Sequence, residues 1–344
     1  MPTVSVKRNF ITMPLRLGIA FLMVTPALLL NSCTKNSARA NDTTRKMQFS
    51  YAFTVKNIPN GANAVDLWAP VPQSDARQTI AKLEVKCGYP YSIETEPEYN
   101  NSILKIRATG PLPESLAVAM NFSVTRTGYH VLQNKDKASD QKTEAMLRRS
   151  LAPDRLVPID GKVADELKNV GREGMTPLEK ARAIYDHVAE TMTYDKSGTG
   201  WGRGDAIYAC DVRKGNCTDF HSLFIGMARA SQIPARFVIG FPVPENANTG
   251  TIPGYHCWAE FYIDGIGWLP ADASEASKHR EKWNDLFGGL DAHRVQFTVG
   301  RDIRIASMGP DAEPLNYFIY PQVRIDGKAH GDIVRQVRFA ELAN

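Results

Sequence analysis

The sequence predicts an α+β protein: an N-terminal β-sandwich followed by a domain in which a central helix packs on an antiparallel sheet. Three observations carry that prediction. Residues 47–130 read as short strands separated by turn signals. Residues 217–231 place bulky apolar side chains at helical spacing, the mark of a buried helix. Residues 256–272 read as a hairpin folded around Asp264-Gly265.

Each element has its own signal. MQFSYAFTV alternates, putting Met47, Phe49, Tyr51, Phe53 and Val55 on one face. AVDLWAPV, KLEVKC, SILKIRA and AVAMNFSVTR follow, divided by Pro59-Asn60-Gly61 and Gly110-Pro111. Strands this short and this regularly spaced suit a sandwich over 47–130. Residues 131–175 are charged and weakly periodic, a connector with one or two short helices. At Thr176-Pro177-Leu178-Glu179 a capping box with proline at the first helical position opens a helix. Its apolar stripe is Leu178, Ala181, Ile184, Tyr185, Val188 and Met192. GTGWGRGDA holds too much glycine for a regular element and lacks the Lys-Ser/Thr of a phosphate loop. The central helix then runs from about Cys217 to Ser231, with Phe220, Leu223, Phe224 and Met227 on its apolar face, and RFVIGF is a strand. Beyond the hairpin, RVQFTV and RDIRIA are the clearest strands. The second domain is placed at 176–310 and a C-terminal extension at 311–344.

The first 33 residues differ from the rest. Lys7, Arg8 and Arg16 precede and flank LGIAFLMVTPALLL, an apolar run short for a membrane span. A basic start, an apolar middle and a small residue before the cut describe an export signal. Cys33 directly after Ser32 resembles the lipobox of bacterial lipoproteins, which makes Cys33 the acylated residue, although Asn31 fits that motif poorly. Residues 34–46 are then a polar tether. The expectation is an exported protein, in the periplasm or outer membrane, held by a lipid anchor. Removing the signal's three cations from a formal net charge of +4 leaves +1. With no basic stripe interleaved with aromatics, nucleic-acid binding is excluded as an expectation. The other cysteines are Cys87, Cys210, Cys217 and Cys257; in an oxidising compartment they allow disulfides, and the absence of a CxxC pair gives a structural zinc site little support.

Chemistry concentrates in the second domain. A short turn near Asp264 brings His256 and Asp272 opposite each other to within one position, close enough for a carboxylate to hold one imidazole nitrogen. The other nitrogen can face a thiol. Cys217, at a helix start, meets unpaired N–H groups and the positive end of the helix dipole, which favour a thiolate. Such a thiolate is a nucleophile toward an acyl carbon, with its own N–H available to an oxyanion. Cys257, next to His256 on a strand, is expected to point to the opposite face. His221, one turn beyond Cys217, competes as the base but has no evident carboxylate.

RKGNCTDFHSLFIGMARASQIPARFVIGF followed by HCWAEFYIDGIGWLPADAS resembles the transglutaminase-like superfamily of papain-type folds. The shared features are the Gly-x-Cys helix start, the helix–Ile-Pro-Ala-Arg–strand step, His-x-Trp-x-Glu, and Gly-Trp with Asp four residues later. The resemblance covers about residues 176–275, and the LWAPVP strand looks like bacterial members with an N-terminal β domain. It implies Cys217 as nucleophile, His256 as base and Asp272 as the acid that orients it. Tyr194 and Trp201 lie where related enzymes place an aromatic residue that binds the oxyanion or walls the cleft. No metal or organic cofactor is implied.

The function expected from these residues is exported, cysteine-dependent acyl transfer on amide bonds through a thioester. Peptidase or amidase activity is favoured, on a peptide or protein substrate, cell-envelope peptides included. Transfer to a lysine amine, as in a protein-glutamine transglutaminase, is the alternative. A non-catalytic peptide-binding module is a third reading, which a Cys217–Cys210 disulfide would favour.

Overall fold

The structure, a computed structural model, describes residues 43–134, 143–171 and 173–343. The proposed signal, Cys33 and most of the tether lie outside the described residues. Among those described, no helix is long and apolar enough to cross a membrane.

The predicted strands form as β1 (Thr44–Val55), β2 (Ala64–Val71), β3 (Gln78–Lys86), β5 (Ser102–Thr109) and β6 (Leu116–Thr127). β4 (Tyr91–Thr95) has no counterpart in the sequence reading, because its side chains are almost all exposed and show no alternation. The alternation of β1 is real: Met47, Phe49, Tyr51, Phe53 and Val55 are all buried.

The connector supplies a single helical turn, Val131–Asn134, and two further short helices, α1 (Glu144–Arg149) and α2 (Gly161–Glu166), one more than the sequence suggested. Asp154 fixes it to the second half of the chain by accepting from Arg149 at 2.6 Å and from Arg229 at 2.7 Å. Next come α3 (Pro177–Thr191), α4 (Ala206–Val212) and α5 (Cys217–Ala230). α3 opens on the predicted capping box, in which Thr176 and Glu179 bond each other's backbone N–H. Every residue of α5 from Cys217 to Arg229 is buried, as a helix enclosed on all sides must be. β7 (Ala235–Pro242), β8 (Thr249–Ile252), β9 (His256–Ile263), β10 (Gly267–Ala271), α6 (Ala273–Lys278) and β11 (Arg294–Val299) follow. The chain ends with β12 (Gln322–Ile325) and β13 (Ile333–Glu341).

Strands β10-β9-β7-β11 make one antiparallel sheet, and α5 packs on it. The N-terminal strands divide between two further sheets, β8-β13-β1-β6-β3 and β12-β2-β5-β4, the latter extended by Lys328–Ala329. Both of these take a strand from the last 25 residues. β13 pairs with β1 along its whole length and β12 pairs with β2. RDIRIA does not become a strand. Its alternation is genuine, since Arg301, Ile303 and Ile305 are buried, but only Ile303 finds a ladder partner, Leu315.

An aromatic cluster joins the N-terminal sheet to the helix-bearing sheet. Tyr51 meets Phe241 edge-on at 5.4 Å, Phe241 meets Phe297 at 5.1 Å, and Phe49 stacks on Phe122 at 5.2 Å. Such pairs contribute about 0.5–1.5 kcal/mol each beyond their buried area. They fix β7 and β11 from the side opposite α5, and so hold the strand next to β9.

Candidate active site

Cys217 occupies the first helical position of α5. Asn216 caps the helix, its Oδ1 accepting from Thr218 N at 2.9 Å, and Asp219 answers by accepting from Asn216 N at 2.9 Å. The N–H groups of the first turn have no intrahelical acceptor, and the positive end of the dipole lies at this position. Asp219 also accepts from Gly202 N at 2.7 Å and Gly204 N at 3.0 Å, tying the glycine-rich segment to the start of α5. The glycine two residues before the cysteine is required by this packing: a Cβ at Gly215 would lie 2.3 Å from Asp219 Oδ2.

β9 and β10 bring up the imidazole and the carboxylate. Ala259 pairs with Ala271, so Asp272 falls across from Trp258, two residues from His256 and on its face of the sheet. This is one position further than the sequence suggested, and diagonal neighbours on one face still touch. Asp272 lies just past β10 and caps α6, its Oδ1 accepting from Glu275 N and Ser274 Oγ, each at 3.1 Å. Its Oδ2 is 2.7 Å from His256 Nε2 and accepts from Arg294 Nη1 at 2.9 Å. Because Nε2 is engaged, Nδ1 is the nitrogen that His256 offers to Cys217. Burial opposes ionisation of Asp272, but the charge of His256, hydrogen bonds from His221 and His256, and the charge of Arg294 hold its carboxyl well below the usual range.

The thiol and the imidazole shift in opposite directions. A hydrogen bond from Cys257 is the largest influence on Cys217; burial works against it, and the hydrogen bond and charge of His256 and the charge of His221 add to it, so the thiol falls well below its ordinary range. Burial disfavours a charged His256, yet the Asp272 carboxylate and the Cys217 sulfur outweigh it and raise the imidazole to about 10. From the lowered range of the thiol up to about 10 the pair is thiolate and imidazolium.

One expectation about neighbouring residues holds and one is corrected. Cys257 lies on the opposite face of β9 from His256, as expected. Its side chain faces α5, as the pleat of β9 dictates, and the Cys217 sulfur sits at the end of β9 where Cys257 and His256 both reach it. His221 does have a carboxylate: its Nε2 is 3.5 Å from Asp272 Oδ1, while its Nδ1 is 3.6 Å from Cys257 Sγ. Cys87, Cys210, Cys217 and Cys257 are all free thiols. Among the described residues no group of three or more His, Cys, Asp or Glu side chains is placed to hold a metal ion.

A cleft of about 360 Å³ opens above His256, walled by Tyr194, Tyr255, Lys278 and Arg294 among others. Cys217 is only 2% exposed and is not itself among the residues of that wall. Tyr194 therefore stands in the cleft, within electrostatic range of the Cys217 sulfur, with Lys278 Nζ 4.3 Å from its ring centre. Trp201 does not line the cleft; its indole N–H donates to Gly198 O at 3.2 Å. Residues that the sequence did not single out complete the surroundings. Arg294 bridges Asp272 and Asp291 and lies over the Trp258 ring at 5.2 Å. Tyr255 receives the Asn216 side-chain amide at 3.3 Å, and Tyr317 reaches Gly202 O at 3.2 Å. Tyr255 had a signal, its place beside His256; Arg294 and Tyr317 arrive through long-range packing and had none.

Residues 166–273 match the family model described as the transglutaminase-like superfamily. An uncharacterised protein of Haemophilus influenzae is 27% identical over 308 residues, spanning 78% of this chain and 83% of its own length. Among solved structures, a "Putative Cysteine Protease" from Cytophaga hutchinsonii superimposes with a TM-score of 0.56 at 21% identity, over 88% of this chain and 92% of the other. The periplasmic domain of TgpA from Pseudomonas aeruginosa, bound to ethylmercury, gives a TM-score of 0.37 at 17% identity, over 71% of this chain and 94% of that domain.

Proposed function

From a chain whose residues 166–273 form a transglutaminase-like core, we propose an exported thiol enzyme that breaks amide bonds through a thioester on Cys217. The observation that carries this reading is the chain of contacts from Asp272 through His256 to a Cys217 thiol held below its ordinary range. The Cys217 sulfur attacks the amide carbon, and the carbonyl electron pair moves onto oxygen. The backbone N–H of Cys217 faces that oxyanion, with the Tyr194 hydroxyl as a second donor. The C–N bond then breaks, and His256 gives its proton to the departing amine. Asp272 keeps the imidazole in the tautomer and orientation that both steps need.

Water is the favoured acceptor of the resulting acyl group, giving a peptidase or amidase; a lysine amine would give a transglutaminase. The cleft supports hydrolysis: it is walled by charged and polar side chains, and among the described residues each carboxylate in its wall already has a cation, Lys278 for Glu275, Lys282 for Glu245 and Arg294 for Asp291. Export and lipid attachment at Cys33 belong to the same proposal and rest on the sequence of residues 1–33.

The test is incubation of the protein with a peptide library, with and without a lysine-mimicking amine, read by intact-mass and peptide mass spectrometry. Hydrolysed products, together with an acyl adduct on Cys217 trapped by acid quench, are expected. Amine-bearing products in place of acids would replace hydrolysis with transfer. No turnover and no adduct from any peptide pool would sink the enzyme reading in favour of a binding module.

A further inference from the structure

β1 begins with an arginine where its alternation calls for a core side chain. Arg45 shares the inward face of Met47 and Phe49 and is 9% exposed. A buried guanidinium must find acceptors for its N–H groups, and Arg45 finds them on three separate segments. Its Nε donates to Glu341 Oε1 on β13 at 2.7 Å. In the loop after β7, Nη1 donates to Pro244 O at 3.0 Å and Nη2 to Ala247 O at 3.3 Å. Nη1 also lies 2.9 Å from His293 Nδ1.

That last contact places a proton. Arginine has donors only and keeps its charge in proteins, so His293 Nδ1 is the acceptor and carries no hydrogen. The ring is then neutral, with its proton on Nε2. His293 stands in the cleft wall with Pro242, Val243, Glu245 and Arg294. Glu245 Oε1 is 3.8 Å from Nε2, longer than a hydrogen bond. The backbone is fixed on both sides: Val243 N donates to His293 O at 2.8 Å, and His293 N donates to Asp291 Oδ1 at 2.9 Å. The surrounding charges agree with a neutral ring. Burial is the largest influence and disfavours an imidazolium; Asp291 and Glu245 favour one, Arg45 and Arg294 oppose it, and the ring falls below its ordinary range. The carboxylates around the pair have cations of their own: Arg294 for Asp291, Lys282 for Glu245 and Arg45 for Glu341.

We propose that Arg45 is a positioning residue that keeps His293 neutral and protonated on Nε2, so that the cleft wall carries a fixed hydrogen-bond donor for a carbonyl oxygen of the bound substrate. A neutral N–H suits the oxygen of an uncharged amide, whereas an imidazolium would bring a charge that a peptide bond cannot pair. The contact with substrate rests on the proposed action on amide bonds; the protonation state of His293 does not.

Nitrogen-15 NMR of the histidine side chains in the full chain, between about pH 6 and 8, reads the tautomer directly, over a range in which an ordinary imidazole with a pKa of about 6.5 changes charge. The signals lost in His293→Leu identify the ring. It is expected to carry one proton, on Nε2, throughout. Arg45→Met removes both the donor to Nδ1 and the opposing cation, so the ring is expected to take up a second proton within that range. Should Arg45→Met not fold, the parent spectrum decides alone: a ring protonated on Nδ1 anywhere in the range overturns the proposal, as does an unchanged titration in a folded Arg45→Met. On a peptide that the parent hydrolyses, His293→Leu is expected to raise KM by about three- to tenfold, the worth of one neutral hydrogen bond, with a smaller change in kcat. His293→Gln, which restores an N–H donor, is expected to recover most of that loss. An unaltered KM in His293→Leu would overturn the contact with substrate. No turnover by the parent, with the ring protonated on Nε2 alone, would sink the thioester reading and leave the Arg45–His293 pair standing.

Discussion

Two cysteine–histidine pairs surround Asp272, and they behave oppositely. Cys217 and His256 approach its Oδ2 side, while Cys257 and His221 approach its Oδ1 side. All four side chains are buried, so burial alone does not distinguish the pairs. The first difference is distance. His256 Nε2 is 2.7 Å from the carboxylate, a full charge-assisted hydrogen bond, whereas His221 Nε2 lies 3.5 Å from it, a longer and weaker contact. The second is the helix: Cys217 sits at the N-terminus of α5, where the dipole favours an anion, and Cys257 sits mid-sheet, where nothing does. The Cys217 thiol consequently falls well below its usual range, while burial, followed by the hydrogen bond and charge of Cys217, drives Cys257 well above it. One sulfur becomes the anion and the other its hydrogen-bond donor. The thiol proposed as nucleophile is thus set apart by its neighbours rather than by its residue type.

The largest test of this asymmetry is removal of the proposed nucleophile. Cys217→Ala is expected to abolish turnover and the Cys217 acyl adduct while changing stability by no more than about 2 kcal/mol. Cys257→Ala in parallel should leave turnover measurable. Equal loss in both variants would mean the two thiols share the chemistry. Next in size is Asp272→Asn. It removes the charge that raises His256 and disturbs the imidazole tautomer, so kcat/KM should fall by roughly 10³–10⁴. A drop below tenfold, measured on the same peptide substrate, would assign the orientation of His256 to another group, with Arg294 and Ser274 the nearest to examine.

How much of this was legible in the sequence depends on the range of the interaction. The β1 alternation, the Thr176–Glu179 capping box and the extent of α5 are local patterns, and they appear in the structure as read. The nearness of His256 to Asp272 follows from a short hairpin and needed only a turn of about the right length. The contacts that differ are non-local. β12 and β13 return from residues 322–341 to close sheets begun near residue 44, and nothing in their composition names β1 or β2 as partner. RDIRIA carries strand periodicity, but its buried arginine is spent on the glycine-rich segment, with Arg301 Nη1 donating to Gly204 O at 2.7 Å. The alternation rule placed Cys257 on the other face from His256, correctly for the strand, but the Cys217 sulfur sits at the strand end where both side chains reach it.

The smaller effects separate the roles of the second pair. Cys257→Ala removes the S–H donor to the Cys217 sulfur, so the thiolate loses a hydrogen bond and its pKa rises. The sign follows from the direction of the native shift: the thiolate is present above its lowered pKa and is lost as pH falls through it, so losing the donor moves that loss to higher pH. At a pH on the acid limb, iodoacetamide alkylation of Cys217 should slow by about tenfold, the worth of one hydrogen bond to a charged group, and should converge with the parent rate at high pH. A rate lowered equally at every pH would instead point to altered access through the cleft. The smallest effect belongs to His221→Gln. Its imidazole lies 3.5 Å from Asp272, a longer contact than that of His256, and Asp272 keeps His256, Arg294, Ser274 and the Glu275 N–H. The expected change in kcat/KM is less than about threefold, with stability lower by about 1–2 kcal/mol because a fully buried ring is replaced. A loss of turnover as large as that of Asp272→Asn, in a variant with near-parental stability, would make His221 a second base and erase the distinction between the two pairs.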